Sequence, residues 1–161
     1  MTSEPVTGGC QCGAVRYSIA GALENAHICH CRMCQKASGN YFMPLARAPK
    51  AWFTVTRGEI GWYHSSDPVR RGFCRDCGTP LLFEVIARTS VNVVLGSLDD
   101  PSAVKPRFQC GPAARMPWFE ELDGLEHSAD ESEWYAAVAP SARQHPDHDT
   151  QEWPAPAGRT E

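Results

Sequence analysis

No long hydrophobic run occurs in this 161-residue chain. Nothing in it approaches the roughly 20 consecutive apolar residues that a membrane-spanning helix needs, so no membrane role is expected. The opening residues, MTSEPVTGG, lack the apolar stretch of a secretory signal. The cytoplasm is therefore the expected compartment. An excess of positive charge is missing too. The formal net charge is −4, which argues against a nucleic-acid binder, since such proteins carry a basic face. No internal repeat is visible. The length suits one domain, long enough to bury a core without covalent staples.

Cysteine, by contrast, is plentiful. There are eight, and seven fall into three tight clusters. They read C-x-C (Cys10, Cys12), C-x-C-x-x-C (Cys29, Cys31, Cys34) and C-x-x-C (Cys74, Cys77); Cys110 stands alone. Thiolates spaced this closely converge readily on a tetrahedral zinc ion. A disulfide framework would require an oxidising compartment, and bridges between cysteines so near in sequence strain the backbone. Metal binding is therefore expected. Two partitions are open. Eight thiols could form two closed sites of four, which would be structural only. Alternatively, Cys10, Cys12, Cys74 and Cys77 could close one site, while Cys29, Cys31 and Cys34 form another with a position left free. Spacing alone does not choose.

Most of the chain reads as short strands, so a mostly β domain is expected. Ala14 to Ala20 alternates, with Val15, Tyr17 and Ile19 on one face. Trp52 to Thr56, Glu59 to His64, Val69 to Phe73, Leu81 to Ile86 and Ser90 to Leu95 are further candidates. Gly and Pro punctuate them, and Arg57-Gly58 reads as a turn. Helices are expected only at Arg32 to Ser38 and Ser128 to Ala139. Composition changes near Leu125, dividing the chain into a domain over residues 1–125 and an extension over 126–161. A short helix is expected around Asp130 to Val138. Beyond Pro140, apolar residues are too few to offset ordering entropy, and disorder is expected. His145 and His148 there read as bystanders rather than ligands.

Several separate motifs carry a resemblance. GGCQCGAVRYSI, CHCRMCQKASGN, RGFCRDCGTPL, LGSLDDP and MPWFEELDGL occur in this order between Gly8 and Leu125. Together they resemble the glutathione-dependent formaldehyde-activating enzyme family, whose domain is shared by centromere-protein-V-like proteins. The resemblance implies a zinc-containing, tent-like fold of small antiparallel sheets. It implies two zinc ions: a structural one on Cys10, Cys12, Cys74 and Cys77, and a catalytic one on Cys29, Cys31 and Cys34. It thus favours the four-plus-three partition. The activity implied is carbon–sulfur lyase chemistry on a thiol–aldehyde adduct such as S-hydroxymethylglutathione, in either direction. The partner implied is a small-molecule thiol such as glutathione.

The residues around the triple cluster suggest supporting roles. His27 and His30 flank it and are candidates for proton transfer. Backbone N–H groups from Arg32 to Gln35, with Arg32 or Lys36, could blunt the charge of three thiolates. Arg16, Arg47, Arg57, Arg70, Arg71 and Arg107 are available for the carboxylates of glutathione. Trp52, Phe53, Trp62, Tyr63, Phe73 and Phe83 read as packing between sheets. Tyr41 with Phe42, or Trp118 with Phe119, could wall the open position from water. Many members of that family carry His-Ile where this chain has Gln109-Cys110, and one reading is that Cys110 closes the second site with a fourth thiolate. The alternative is a buried, inert cysteine. The competing functional class is a non-catalytic, zinc-stabilised binding module for a macromolecular partner.

Overall fold

The computed structural model describes residues 4–127 and 132–152. It is mostly β, with ten strands in two sheets. In chain order these are β1 (Val6–Gly9), β2 (Arg16–Ile19), β3 (Glu24–Cys29), β4 (Met43–Pro49), β5 (Phe53–Arg57), β6 (Gly61–Ser66), β7 (Val69–Phe73), β8 (Pro80–Val85), β9 (Ser90–Val94) and β10 (Phe108–Cys110). Helix α1 spans Arg32–Ser38 and helix α2 Ser132–Val138. The small sheet has the order β1-β2-β5; the large one runs β10-β3-β4-β9-β8-β7-β6. Every pairing is antiparallel except β10 with β3.

The alternation in β2 sets the core. Val15, Tyr17 and Ile19 are buried and pack with Ala46, Ala48, Leu81, Val91 and Val93 from the large sheet. Each buried Val, Leu or Ile contributes about 1.5–3 kcal/mol by leaving water. The Tyr17 hydroxyl lies 2.7 Å from Ser97 Oγ, so its burial leaves no orphaned polar group. At Gly8 any Cβ would fall 2.5 Å from that hydroxyl oxygen, so only glycine lets β1 lie against β2 there.

Arg57-Gly58 is a turn, but not a hairpin turn. β5 pairs with β2, whereas β6 pairs with β7, so the chain changes sheets there. Gly58 has φ +67°, and a Cβ would lie 2.0 Å from the Ala14 carbonyl. Four strands, β1, β3, β4 and β10, lie where the sequence reading had none. Each is short or carries polar, proline or cysteine residues, which mask the period of two.

Two further expectations change. Trp52 and Tyr63 do not pack between sheets: they are 40% and 63% exposed. Beyond Pro140 disorder was expected, yet His145 is only 3% exposed. Its N–H donates to the Gln11 carbonyl at 2.7 Å, and Asp149 meets Arg16 Nη2 at 2.7 Å. Polar partners, not apolar area, hold this stretch, which is why composition did not reveal it. The expected helix at Ser128 to Ala139 begins in residues outside those described. So do the last nine positions of the tail. Among the described residues no helix is long and apolar enough to cross a membrane.

Candidate metal centres

Two thiol clusters form, and their membership is the four-plus-three partition. Cys10, Cys12, Cys74 and Cys77 gather in one, and Cys29, Cys31 and Cys34 in the other; within each, all sulfurs lie within 4.8 Å of one another.

The four-thiol cluster joins two tight turns. In the first, Gly13 N–H donates to Cys10 O at 3.1 Å, and Val15 N–H points at Cys10 Sγ from 3.2 Å. In the second, Gly78, at φ +77°, donates its N–H to Cys74 O at 3.0 Å. Thr79 links them. Its Oγ1 accepts from Gln11 N–H at 3.0 Å and lies 3.1 Å from Cys77 Sγ, to which its proton can be donated. Cys12 Sγ lies 3.6 Å from Cys10 Sγ and 3.9 Å from Cys74 Sγ. A tetrahedron with zinc–sulfur bonds of about 2.3 Å has edges of about 3.8 Å, so the donor set fits zinc. Burial pushes the Cys10 thiol up and brings Cys12 to about 11. Burial also acts upward on Cys77, but hydrogen bonds from Thr79 and Cys12 outweigh it and bring that thiol to about 6. A low-pKa thiol among high ones lets metal capture begin on a ready thiolate.

The three-thiol cluster is built by the β3–α1 junction. Cys29 ends β3. Cys31 is the N-cap of α1, and its sulfur accepts from Cys34 N–H at 3.4 Å. Thus a ligand sulfur occupies the place of the usual Ser or Asp oxygen. Cys34 sits in the first turn, 2% exposed. Gln35 is buried behind it and donates Nε2–H to the carbonyls of His30 and Ala114, both at 2.9 Å. These bonds tie the helix to β3 and to the loop after β10. Gly111, at φ +65°, brings that loop close; a Cβ there would lie 2.9 Å from Cys31 N. Burial drives the Cys29 thiol up to about 12 and raises Cys34. In Cys31, burial is outweighed by hydrogen bonds, first from the Cys34 N–H, so its thiol is lowered. Three soft donors converging with one position not supplied by the chain suit a tetrahedral metal with an exchangeable ligand.

His30, between two ligands, is fully buried. Its Nε2–H donates to Gln109 Oε1 at 2.8 Å, while Nδ1 is buried with no partner among the described residues. The ring is covered edge-on by Phe119 at 4.8 Å and Phe42 at 6.1 Å. His27 has its Nδ1 2.7 Å from the Asn25 carbonyl and stacks on Phe108. The aromatic segments meet pairwise rather than acting as alternatives: Tyr41 lies 4.6 Å from Trp118 and Phe42 5.6 Å from Phe119.

The arginines turn out differently from a carboxylate-binding set. Arg16 is committed to Asp99 and Asp149, Arg47 to Glu24, and Arg70 to Glu84. Arg57 is held by the carbonyls of Gly13 and Thr150. Arg107 is exposed on the strand edge. Arg71 reaches the metal centre itself, with Nη2 3.7 Å from Cys34 Sγ. Arg32, expected to temper the thiolates, instead donates to Gln35 Oε1. Sequence reading missed Arg71 and Thr79 as neighbours of sulfur. Their only signal was position, one three residues before and one two residues after a cysteine.

The sequence model described as glutathione-dependent formaldehyde-activating enzyme matches residues 5–110. An uncharacterized lyase of Schizosaccharomyces pombe is 32% identical over 77 residues, which is 47% of this chain and 55% of that protein. The chain thus spans about half the length of this curated relative. A crystal structure of a Rhodobacter sphaeroides protein shares the fold, with a TM-score of 0.52 and 22% identity over 64% of this chain and 98% of the other. The family match takes in every cysteine of both clusters and ends at Cys110, and on this ground the chain belongs to the glutathione-dependent formaldehyde-activating enzyme family.

Proposed function

We propose that the protein is a zinc-dependent carbon–sulfur lyase acting on a thiol–aldehyde adduct, with S-hydroxymethylglutathione as the reference substrate and either direction open. The observation that carries this reading is the contrast between the clusters. One has four thiols and closes on itself; the other has three, and Cys110 is not among them. A structural site needs no free position, whereas catalysis does.

A metal ion held by Cys29, Cys31 and Cys34 would supply Lewis acidity that keeps an incoming thiol deprotonated at neutral pH. The chain's own residues prepare the site. Gln35 locks the ligand loop through two carbonyls. The Cys34 N–H directs the Cys31 sulfur. Phe42, Phe119, Tyr41 and Trp118 form an aromatic wall against the loop and limit water. His30 enters the reading as an acceptor for the adduct hydroxyl through Nδ1, and Phe42 and Phe119 are what must yield for that contact.

The test is exchange NMR on ¹³C-formaldehyde and glutathione with the zinc-loaded protein. Faster exchange between free and thiol-bound formaldehyde, lost in Cys31→Ala, supports the lyase. Unchanged exchange with two zinc ions bound sinks it. The second reading, a binding module, is favoured by one feature: Trp134 and Tyr135 on α2 are 61% and 58% exposed.

A further inference from the structure

Arg71 is only 7% exposed, yet among the described residues it meets sulfur and an aromatic ring rather than a carboxylate. Burying a guanidinium without a countercharge costs several kcal/mol, so a partner of opposite sign is required. β7 and β8 place Arg71 opposite Phe83, and the guanidinium lies 5.0 Å from that ring. Its neighbour Arg70 takes Glu84. What Arg71 touches is sulfur: Nη1 lies 3.7 Å from Met43 Sδ and Nη2 3.7 Å from Cys34 Sγ. The cavity of about 160 Å³ beside it, lined by Ala37, Met43, Tyr63, Phe73, Pro80 and Leu82, offers no acidic side chain either. Among the described residues, Cys34 Sγ, a thiolate once it ligates a metal, is therefore the group in contact with this buried cation that can carry the opposite charge.

We propose that Arg71 is a positioning residue of the three-thiol centre, a fixed countercharge that neutralises it and holds Cys34 as a ligand. Three thiolates around a divalent zinc carry one net negative charge, which opposes the approach of a fourth, anionic sulfur. A permanently charged guanidinium against Cys34 cancels that charge before the substrate thiol arrives. The centre then accepts an anionic thiol without becoming strongly negative. The inference rests on the metal-centre reading; its benefit to an incoming thiol rests on the lyase reading as well, whereas zinc affinity tests it without that reaction.

The experiment is competitive chelator titration of the zinc-loaded full chain, comparing Arg71→Met and Arg71→Lys with the parent. The expected result is a roughly 10–100-fold weaker second zinc in Arg71→Met, the range of lost outer contacts, with the first zinc unchanged. Arg71→Lys restores most of the affinity, which a merely space-filling role would not require. Equal affinity of the second zinc in parent and Arg71→Met overturns the proposal. Absence of a second zinc in the parent overturns the metal-centre reading beneath it. Should Arg71→Met fail to fold alone, the pair is read from the other side. Cys34→Ala strands the arginine, so adding Arg71→Met to Cys34→Ala should raise the melting temperature by about 2–4 °C. A further fall there also overturns the proposal.

Discussion

Cys29 and Cys110 stand in register across the parallel pairing of β3 and β10, yet only Cys29 belongs to a metal-ligand set. Adjacent strands bring their backbones together without bringing both sulfurs to one point. The Cys110→Ala protein should therefore keep both metals, and X-ray absorption should show an unchanged average number of sulfurs per zinc. A loss of sulfur ligands would mean that Cys110 closes the second centre.

Thr79 couples two metal turns through one oxygen. Thr79→Val keeps the shape but hands the exposed Gln11 N–H to water and removes a donor from Cys77. A cost of about 0.5–1.5 kcal/mol is expected, the net worth of a hydrogen bond whose exposed partner water can still solvate. Denaturant unfolding of the zinc-loaded protein measures it.

The two centres should respond differently to a strong chelator. The four-thiol cluster ties the end of β1 to the β7–β8 turn, with its sulfurs drawn from positions 62 residues apart. Stripping it should cost much of the cooperative unfolding transition, because metal binding there is folding energy. The three-thiol cluster spans one local junction, so its loss should spare far-UV circular dichroism. Stepwise chelation followed by dichroism separates the two, and a single concerted loss of metal and fold would contradict this assignment.

The segment carrying His145 should loosen in mild acid. Its Nδ1–H donates to the Pro146 carbonyl at 2.6 Å, so Nε2 is an acceptor, 3.3 Å from Arg57 Nη1 and 3.1 Å from Thr150 Oγ1. Burial lowers the imidazole pKa, Arg16 and Arg57 lower it further, and the Pro146 carbonyl and Asp99 oppose them. Asp149 faces the same arginine, Arg16, from the tail. The sign follows: a histidine lowered in the fold contributes fully above its unfolded value, near 6.5, and its contribution is lost as pH falls through the folded value. Limited proteolysis within residues 142–152 should accelerate below about pH 6 and stay flat above about pH 7. The His145→Gln protein should lose that dependence.

Much of this was legible beforehand where one residue type carries the information locally. The alternation of Val15, Tyr17 and Ile19 marked β2, and Arg32 to Ser38 was expected as the helix that forms. The strands that went unread depend on partners. β3 holds polar residues and ends on a cluster cysteine, and β10 has three residues that become a strand only beside β3. The residues around the sulfurs were less legible still. Arg70 and Arg71 are adjacent and chemically identical, and strand alternation alone sends one to Glu84 and the other to Cys34.

By itself the sequence determined the ligand types, their short spacings and the family they belong to, because thiols a few residues apart are held together by the chain. It did not determine which distant clusters share a site, since C-x-C and C-x-x-C are compatible with several partners. The tertiary structure decided that. Packing of the two sheets brings the turn after β1 to the β7–β8 turn, and Cys110, although in register with Cys29, stays outside the second set. It also decided which arginine is buried on sulfur and which tail residues bind Gln11 and Arg16. Those outcomes depend on contacts between residues far apart in sequence, and only the packed chain makes such contacts.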